Sequence, residues 1–545
     1  HSSLSKHHRF ELEERLRKGE LKAVVCSTSL ELGIDIGFID LVILLGSPKA
    51  VSRAMQRIGR AGHQLHETSK ARFIVNGVDD LIECVVISKN ARERVIDKVH
   101  IPENCLDVLS QQIYGMAIYK KWNVDEMFAV IRKSFCYRNL TREDFLSVIS
   151  YLSGEYELRT SNVYSKIWYD PITREVGKRG MLARVIYMTN IGTIPDESFV
   201  NVVLAGNQEV VGKIDEEFSE RLKKGDVFVL GGSRYEYAYS KGMNAYVRAS
   251  GRNPTIPSWF SEMLPLSFDC AMTISRFRKL IAERFESKKS PVEIKGFIRE
   301  FSGCDEKTGE SVYNYFKDQF EYSLIPHENR ILIEEYRGDK TYIIFHTLFG
   351  RRVNDALSRA VAYVVASARR RDVEIGINDN GFFIAGKDID AEKLEKGFRK
   401  IDSKNIRQVL ADAIETTEVL RRRFRHCASR GLMILRNYKG RVKSVGKQQM
   451  SSHFLLAAIR KKTKDFPILK EARREVLEDL MDINNAEKVL ELIGSGRIKI
   501  ERKNTRVVSP FAISLLLESY ADVIRIEDKI EFIKRVYAEL KKGKP

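Results

Sequence analysis

The sequence predicts a multidomain chain that mixes α/β and α+β architecture, and three observations carry that expectation. Its 545 residues exceed what a single core organises and leave room for three or four domains. In the first hundred residues, apolar runs of strand length alternate with helix-compatible stretches, as in a parallel α/β unit. From about Met181 the pattern turns β-rich, and from about 426 it returns to mainly helical character.

Taken in order, Ala23–Cys26 reads as a strand delivering Ser27, Thr28 and Ser29 to its carboxyl edge, where open α/β sheets place ligands. A second strand, Leu41–Leu45, leads into a helix-compatible stretch with Gln56, Arg57 and Arg60. Arg57 and Arg60 are three apart and are expected on one helical face. Two guanidiniums aimed at one point suit a transferring phosphoryl group, whose charge spreads over several oxygens. A strand at Ala71–Asn76 and a helix around Asp79–Val95 complete this unit near Lys98.

Pro102 then punctuates, and Asn104 is expected to cap a helix over Cys105–Lys121. A second helix covers Val124–Phe135. Thr141, with Asp144 three residues on, marks the start of a third, Arg142–Ser153, which Gly154 ends. Glu155–Asp170 then alternates like a hairpin. Three short helices followed by a β-ribbon are the order of a winged helix. Beyond Met181, the runs Phe199–Leu204, Glu209–Ile214, Asp226–Leu230 and Ala245–Ala249 predict a small barrel or strongly bent sheet, with helices after it.

Composition excludes several classes. With 43% hydrophobic and 30% charged residues the chain is ordinary globular material, and no apolar run approaches the roughly 20 residues needed to span a bilayer. Seven cysteines without CxxC or Cys/His spacing argue for reduced thiols in a cytoplasmic protein and against a zinc site. A net charge of +18 points to nucleic acid, bound with strong salt dependence. Three dense basic runs stand out, Arg369–Arg371, Arg421–Arg425 with Phe424 interleaved, and Arg460–Lys464; the plainer reading of each is a solvated helix face. Trp168, Tyr235, Trp259 and Phe349 are candidate base-stacking aromatics, with core packing the plainer reading for each. His346, a lone histidine before an apolar stretch, reads as structural, and Glu216 with Glu217 as caps or ion pairs.

Two segments carry most of the functional information: Val24–Gly37, VVCSTSLELGIDIG, and Gln56–His63, QRIGRAGH. The pair resembles motifs V and VI of superfamily 2 helicases, and its particular form resembles the Lhr (large helicase-related) family. His1–Ser5 is similar to motif IV of that family and Arg9–Gly19 to the helix that follows it. The resemblance continues through Cys105–Ala117, GTIPD at 192–196, Pro257–Phe268, His346–Leu357, Asn378–Phe383 and Val508–Ala512. Tyr235 stands where a tryptophan is expected.

The resemblance implies the following organisation. Residues 1–98 are the C-terminal part of a second RecA-like domain, 99–180 a winged helix, 181–425 a β-rich family-specific domain with helices, and 426–545 a mainly helical region. Ser27 and Thr28 contact the nucleic-acid backbone, Gly33 and Asp35 the nucleotide, and Gln56 its terminal phosphate. Arg57 and Arg60 are arginine-finger candidates, Arg60 being favoured, although many relatives outside the family carry Arg where this chain has His63. Trp168, Tyr235, Trp259, Arg421, Arg422 and Arg423 are expected on the strand-binding surface.

No GxxxxGK[ST] loop occurs, and no acidic box for Mg²⁺ follows an early strand. ATP and Mg²⁺ are therefore expected to bind jointly with a first motor domain absent from this chain, which alone should be inactive as an ATPase. The implied activity is 3′ to 5′ translocation on single-stranded DNA or RNA–DNA hybrids. The alternative is a non-catalytic nucleic-acid-binding or strand-annealing protein, which needs charge screening but no ATP.

Overall fold

The computed structural model describes residues 6–519 and 534, apart from 27–38, 62–67, 157–162, 195–198, 253–263, 370–372 and the isolated positions 76, 207, 216, 217, 220, 221, 223, 231, 232, 242, 339, 388, 439, 444, 464 and 506. Helix α1 (Lys6–Arg17) is followed by a parallel pair, β1 (Val42–Leu45) and β2 (Ala71–Ile74), in register from Val42↔Ala71 to Leu45↔Ile74. Helices α2 (Val51–Ile58) and α3 (Val78–Arg92) pack together through Val51, Ala54, Ile82 and Val86. The strand expected at Ala23–Cys26 is irregular, and Val25 is 92% exposed. A parallel strand is held by its neighbours, and among the described residues none lies beside this segment.

The winged helix forms as α4 (Leu106–Tyr119), β3 (Trp122–Asn123), α5 (Val124–Ile131), α6 (Arg142–Ser153), β4 (Ile167–Asp170) and β5 (Glu175–Lys178), with strand order β3-β5-β4. Thr141 caps α6 by accepting from the Asp144 N–H at 3.1 Å, and Gly154 closes it at φ 89°. Two expectations need correction. Asn104 does not cap α4: its φ of 54° is incompatible with the extended backbone of an N-cap, and Cys105 takes that position. The β-ribbon that forms is Ile167–Lys178; of the expected Glu155–Asp170, residues 157–162 lie outside the described residues, 163–166 are not strand, and only Ile167–Asp170 is a strand. Asp170 accepts from Ile172 N and the Thr173 hydroxyl, both at 2.9 Å, and so places the turn after the predicted stretch.

The α4 N-terminus is completed from far along the chain, because Leu106 N donates to Glu471 Oε2 at 2.9 Å. Burial and the nearby charge of Asp107 push the Glu471 carboxyl from 4.5 up to about 7. The folded protein therefore keeps a proton that the unfolded chain releases. The stability this group contributes is complete below about pH 4.5 and is lost as pH rises through 7. Urea midpoints should show wild type losing stability relative to Glu471→Gln between pH 4.5 and 7. Identical pH profiles would remove Glu471 from this role.

After α7 (Ala183–Asn190) come β6 (Phe199–Leu204), β7 (Val210–Asp215), β8 (Val227–Leu230), β9 (Ser233–Lys241) and β10 (Asn244–Ala249), in the order β7-β6-β10-β9-β8. The predicted runs are strands, and β9 adds one that the pattern did not show. Bulges at Val202/Val203 and Tyr246/Val247 bend the sheet. Its edges approach so closely that a Cβ on Gly212 would lie 2.7 Å from Leu230.

Helices α8 (Phe268–Glu286), α9 (Pro291–Ser302) and α10 (Glu306–Tyr322) lead into β11 (Arg330–Arg337), β12 (Thr341–His346), α11 (Arg351–Arg369), β13 (Glu374–Asn378) and β14 (Gly381–Gly386). Then follow α12 (Ala391–Arg399), α13 (Ile406–Ile414), α14 (Glu418–Arg430), the short pair β15 (Asn437–Tyr438) and β16 (Arg441–Val442), α15 (Val445–Lys462), α16 (Pro467–Arg474), α17 (Ile483–Gly494), β17 (Lys499–Asn504) and α18 (Pro510–Ser519). Strand β17 joins β11 in parallel and completes a sheet ordered β13-β14-β12-β11-β17. Ile343 and Phe345 face α11, and Tyr342 and Ile344 face α18, so the central strands are apolar on both sides.

The boundary expected at 425/426 falls inside α14, which packs on α16 and on α4 of the winged helix. Among the described residues no helix is long and apolar enough to cross a membrane.

Candidate nucleotide and nucleic-acid interface

Strand β1 ends at Gly46, whose φ of 76° lets its N–H reach Ile74 O at 2.8 Å and turns the chain toward α2. This places Gln56 and Arg57 in the last turn of α2. Arg60 does not share that helix. The helix stops at Ile58, Gly59 caps it, and Arg60 N and Ala61 N bond back to Arg57 O (3.2 Å) and Ile58 O (3.0 Å) in a tightened turn. Gly59 is required there, since a Cβ would sit 2.9 Å from Met55 O. Arg60 Nε folds onto Gln56 O at 3.3 Å, which holds Arg60 against the last turn of α2 rather than on one helical face with Arg57. Gln56 is exposed, and Arg57 and Arg60 are half-buried. Ser27, Thr28, Gly33 and Asp35, with His1–Ser5 and His63, lie outside the described residues.

The opposite end of α2 is tied down by groups that sequence reasoning did not find. Ser52 N donates to Asp97 Oδ2 at 3.0 Å, Ser267 also donates to Asp97, and Ser267 N donates to Lys49 O at 3.0 Å. Lys49 sits at φ 61° with its ammonium among Glu83 (2.8 Å), Asp379 (3.3 Å) and Asp80 (3.6 Å). Burial pulls its pKa down, but the carboxylates outweigh burial and hold it well above the usual lysine range. Beside it Arg278 reaches Asp79 (3.4 Å) and Asn380 (3.0 Å), and Tyr315 donates to Asp79 at 3.2 Å. These contacts weld the arginine-bearing helix to α8 and to the β13–β14 turn. Their partners are up to 330 residues apart (Asp379 minus Lys49), so no local signal marks them.

The expected strand-binding residues fare differently. Trp168, on β4, lies across its cross-strand neighbour: a Cβ on Gly177 would be 2.7 Å from the indole. Lys121 Nζ sits 5.4 Å from the ring centroid. Tyr235 packs toward Phe228 with ring centroids 6.5 Å apart. Phe349 is fully buried, and Trp259, Glu216 and Glu217 lie outside the described residues. His346 is buried against Glu334 (Nε2 to Oε2 2.9 Å), as its structural reading anticipated.

The arginine run of α14 is half-buried at Arg421, Arg422 and Arg423, with Phe424 and Arg425 inside. Arg421 pairs with Glu418, and Arg423 approaches Glu475 at 3.7 Å. About two turns on from Arg423, Arg430 bridges Asp107 (2.6 Å) of the winged helix and Glu475. Asp107, Cys427 and Glu475 bring ligand-type atoms within 4.8 Å of one another, but the guanidinium already supplies the cation between the two carboxylates. The third winged-helix helix, α6, also faces inward: Tyr151 donates to Gly431 O at 2.7 Å, and Asp144 pairs with Lys470 at 2.6 Å. Part of its surface is thus committed to packing rather than to groove reading.

Three family models match in order along the chain: helicase conserved C-terminal domain over residues 1–64, large helicase-related protein winged helix domain over 89–257, and DEAD/H associated over 325–512. The chain is 55% identical to the ATP-dependent helicase Lhr-Core of Methanothermobacter thermautotrophicus across 98% of its own length and 62% of that protein's. It is 47% identical to ATP-dependent helicase Lhr-Core protein 2 of Thermococcus barophilus, across 99% of the chain and again 62% of the relative. Its fold superposes on the Mycobacterium smegmatis helicase Lhr bound to ssDNA and AMP-PNP with a TM-score of 0.71 and 26% identity, over 94% of this chain and 61% of that one. The chain thus spans somewhat under two thirds of the length of the curated relatives it matches. From these matches, and from the arginine-bearing turn and winged helix that they cover, the chain belongs to the large helicase-related (Lhr) family and matches the C-terminal portion of its helicases.

Proposed function

We propose that the chain forms the second half of an ATP-dependent helicase motor together with its nucleic-acid-binding domains. The observation that carries this reading is the C-terminal end of α2, which presents Gln56 and Arg57 and leads through a tightened turn to Arg60 beyond a parallel β-strand, while the other end of the helix is anchored. A phosphoryl group in transfer spreads negative charge over its oxygens, and a pre-positioned guanidinium stabilises that charge without reorganising. In this reading Gln56 orients the terminal phosphate region, Arg60 contacts the γ-phosphate with Arg57 beside it, and Gly33 and Asp35 hold the nucleotide. The phosphate loop and the Mg²⁺ ligands come from a first motor domain, so these 545 residues alone do not hydrolyse ATP.

Closure of the two halves couples hydrolysis to a 3′ to 5′ step along single-stranded DNA or an RNA–DNA hybrid. Ser27, Thr28 and the basic surface hold the backbone, and Tyr235 and Trp259 are base-stacking candidates. Trp168, pressed on Gly177, is the weaker third.

Binding of a single strand across a salt series tests the nucleic-acid half of the proposal. Log affinity should fall linearly with log salt, by about 0.7 per phosphate neutralised. Reversing Arg421 and Arg422 to glutamate should flatten that slope. Arg423 is left intact because a glutamate there would face Glu475. An unchanged slope would assign the run to packing alone.

A further inference from the structure

The bent sheet β6–β10 has a second face that the hydrophobic core does not use. Its inner face carries Val202, Ala245, Val247 and Tyr237. Alternation along each strand turns Tyr246 to the other side, directly opposite Tyr239 on β9. The two rings stack there, with centroids 4.7 Å apart and planes 16° from parallel, and Tyr239 remains 52% exposed.

Two residues further along the same face runs a cross-strand row, Lys241↔Asn244↔Asn201↔Lys213. Asn201 donates to Asn244 at 3.2 Å in the middle of the row, and the lysines at its ends are exposed. On the other side of the tyrosines Arg248 is exposed as well. Lys213, Lys241 and Arg248 make no ion pair among the described residues. The face therefore presents an exposed aromatic stack with Lys241 and Arg248 each two residues along a strand, about 7 Å away, and Lys213 at the far end of the row, two strands across from Asn244.

We propose that this outer face is a contact platform for single-stranded nucleic acid, in which a base stacks on the exposed side of the Tyr239–Tyr246 pair and Lys213, Lys241 and Arg248 take the flanking phosphates. The chemistry selects that occupant. An aromatic face accepts any base, and the lysines Lys213 and Lys241, with Arg248 beside a Glu236 already engaged by Arg252, favour a polyanion over an apolar protein surface. Pre-stacking of the two rings also lowers the ordering cost, because neither ring has to be immobilised when the base arrives. The proposal rests on the reading that the chain binds single strands, and it adds a site to those weighed from the sequence.

The test uses the full 545-residue chain, a 16-nucleotide oligothymidylate, and an abasic strand of the same length. Tyr239→Ala and Tyr246→Ala should each weaken oligothymidylate binding by about 5- to 150-fold. Binding of the abasic strand should stay unchanged, and so should the salt slope. Phenylalanine at either position should retain affinity. Lys213→Gln with Lys241→Gln should instead lower the salt slope for both strands. Should an alanine variant melt early, photocrosslinking of a 5-bromouracil strand to wild type, with the adduct mapped to Tyr239 or Tyr246, serves in its place. A wild-type chain that binds no strand overturns the helicase reading together with the platform. Wild-type binding that survives both alanines, or crosslinks confined to other residues, overturns the platform alone.

Discussion

Arg60→Ala, introduced into a motor completed with its first domain, should lower kcat by about 10³-fold or more while leaving the affinity for nucleic acid near wild type. The expectation follows from where the turn after α2 puts the side chain. Gly59 ends the helix, the backbone of residues 60 and 61 is bonded back to residues 57 and 58, and the α2 N-terminus is fastened by Asp97 and Lys49. A guanidinium delivered on so constrained a turn stabilises transition-state charge at little entropic cost. Single-turnover hydrolysis with saturating strand separates the chemical step from strand binding. Turnover within tenfold of wild type would take the finger role away from Arg60 and leave Arg57 as its holder. Robust hydrolysis by the 545-residue chain alone would overturn the two-half motor.

Arg430→Ala should destabilise the junction between the winged helix and the C-terminal helices by about 3–5 kcal/mol, the usual consequence of leaving a buried charge without its partner. Arg430 bridges Asp107 and Glu475, and all three are buried. Burial already raises the Glu475 carboxyl, with Arg430 opposing that rise. Without the guanidinium, Glu475 should take up a proton at higher pH, which partly relieves the cost in acid. Arg421→Ala on the same helix, whose partner Glu418 is exposed to solvent, should cost about 1 kcal/mol or less. Denaturant midpoints of the two variants at pH 5 and 8 check both the size of the effect and its direction. Equal stabilities would mean that the bridge contributes nothing beyond its hydrophobic surroundings.

The two arginines illustrate what a linear pattern conveys. Arg421–Arg425 reads as a basic stripe because five consecutive positions hold four arginines and one phenylalanine. In the fold Phe424 and Arg425 point inward, Arg423 approaches Glu475, and Arg430, outside the run, carries the central ion pair. Helical rotation of about 100° per residue spreads a run over several faces, so density of charge along the chain does not measure charge on one surface. The tyrosine platform shows the converse. Tyr239 and Tyr246 are unremarkable in sequence and become neighbours only through strand register.

What the sequence determined by itself was local or carried by contiguous motifs. The order of the winged-helix elements, the Thr141 cap, the Gly154 stop, most strands of the bent sheet and the helix that bears Gln56 and Arg57 were legible because caps, periodicity and short motifs act within a few residues. The tertiary structure decided the rest. It replaced Asn104 by Glu471 as partner of the α4 N-terminus, moved the β-ribbon to Asp170, joined β17 to a sheet begun near residue 330, and gathered Asp80, Glu83 and Asp379 around Lys49. Each of these outcomes satisfies a buried backbone group or charge with a partner distant in sequence or with a turn no periodicity marks. The energy of such a pairing depends on geometry that exists only once the chain has folded.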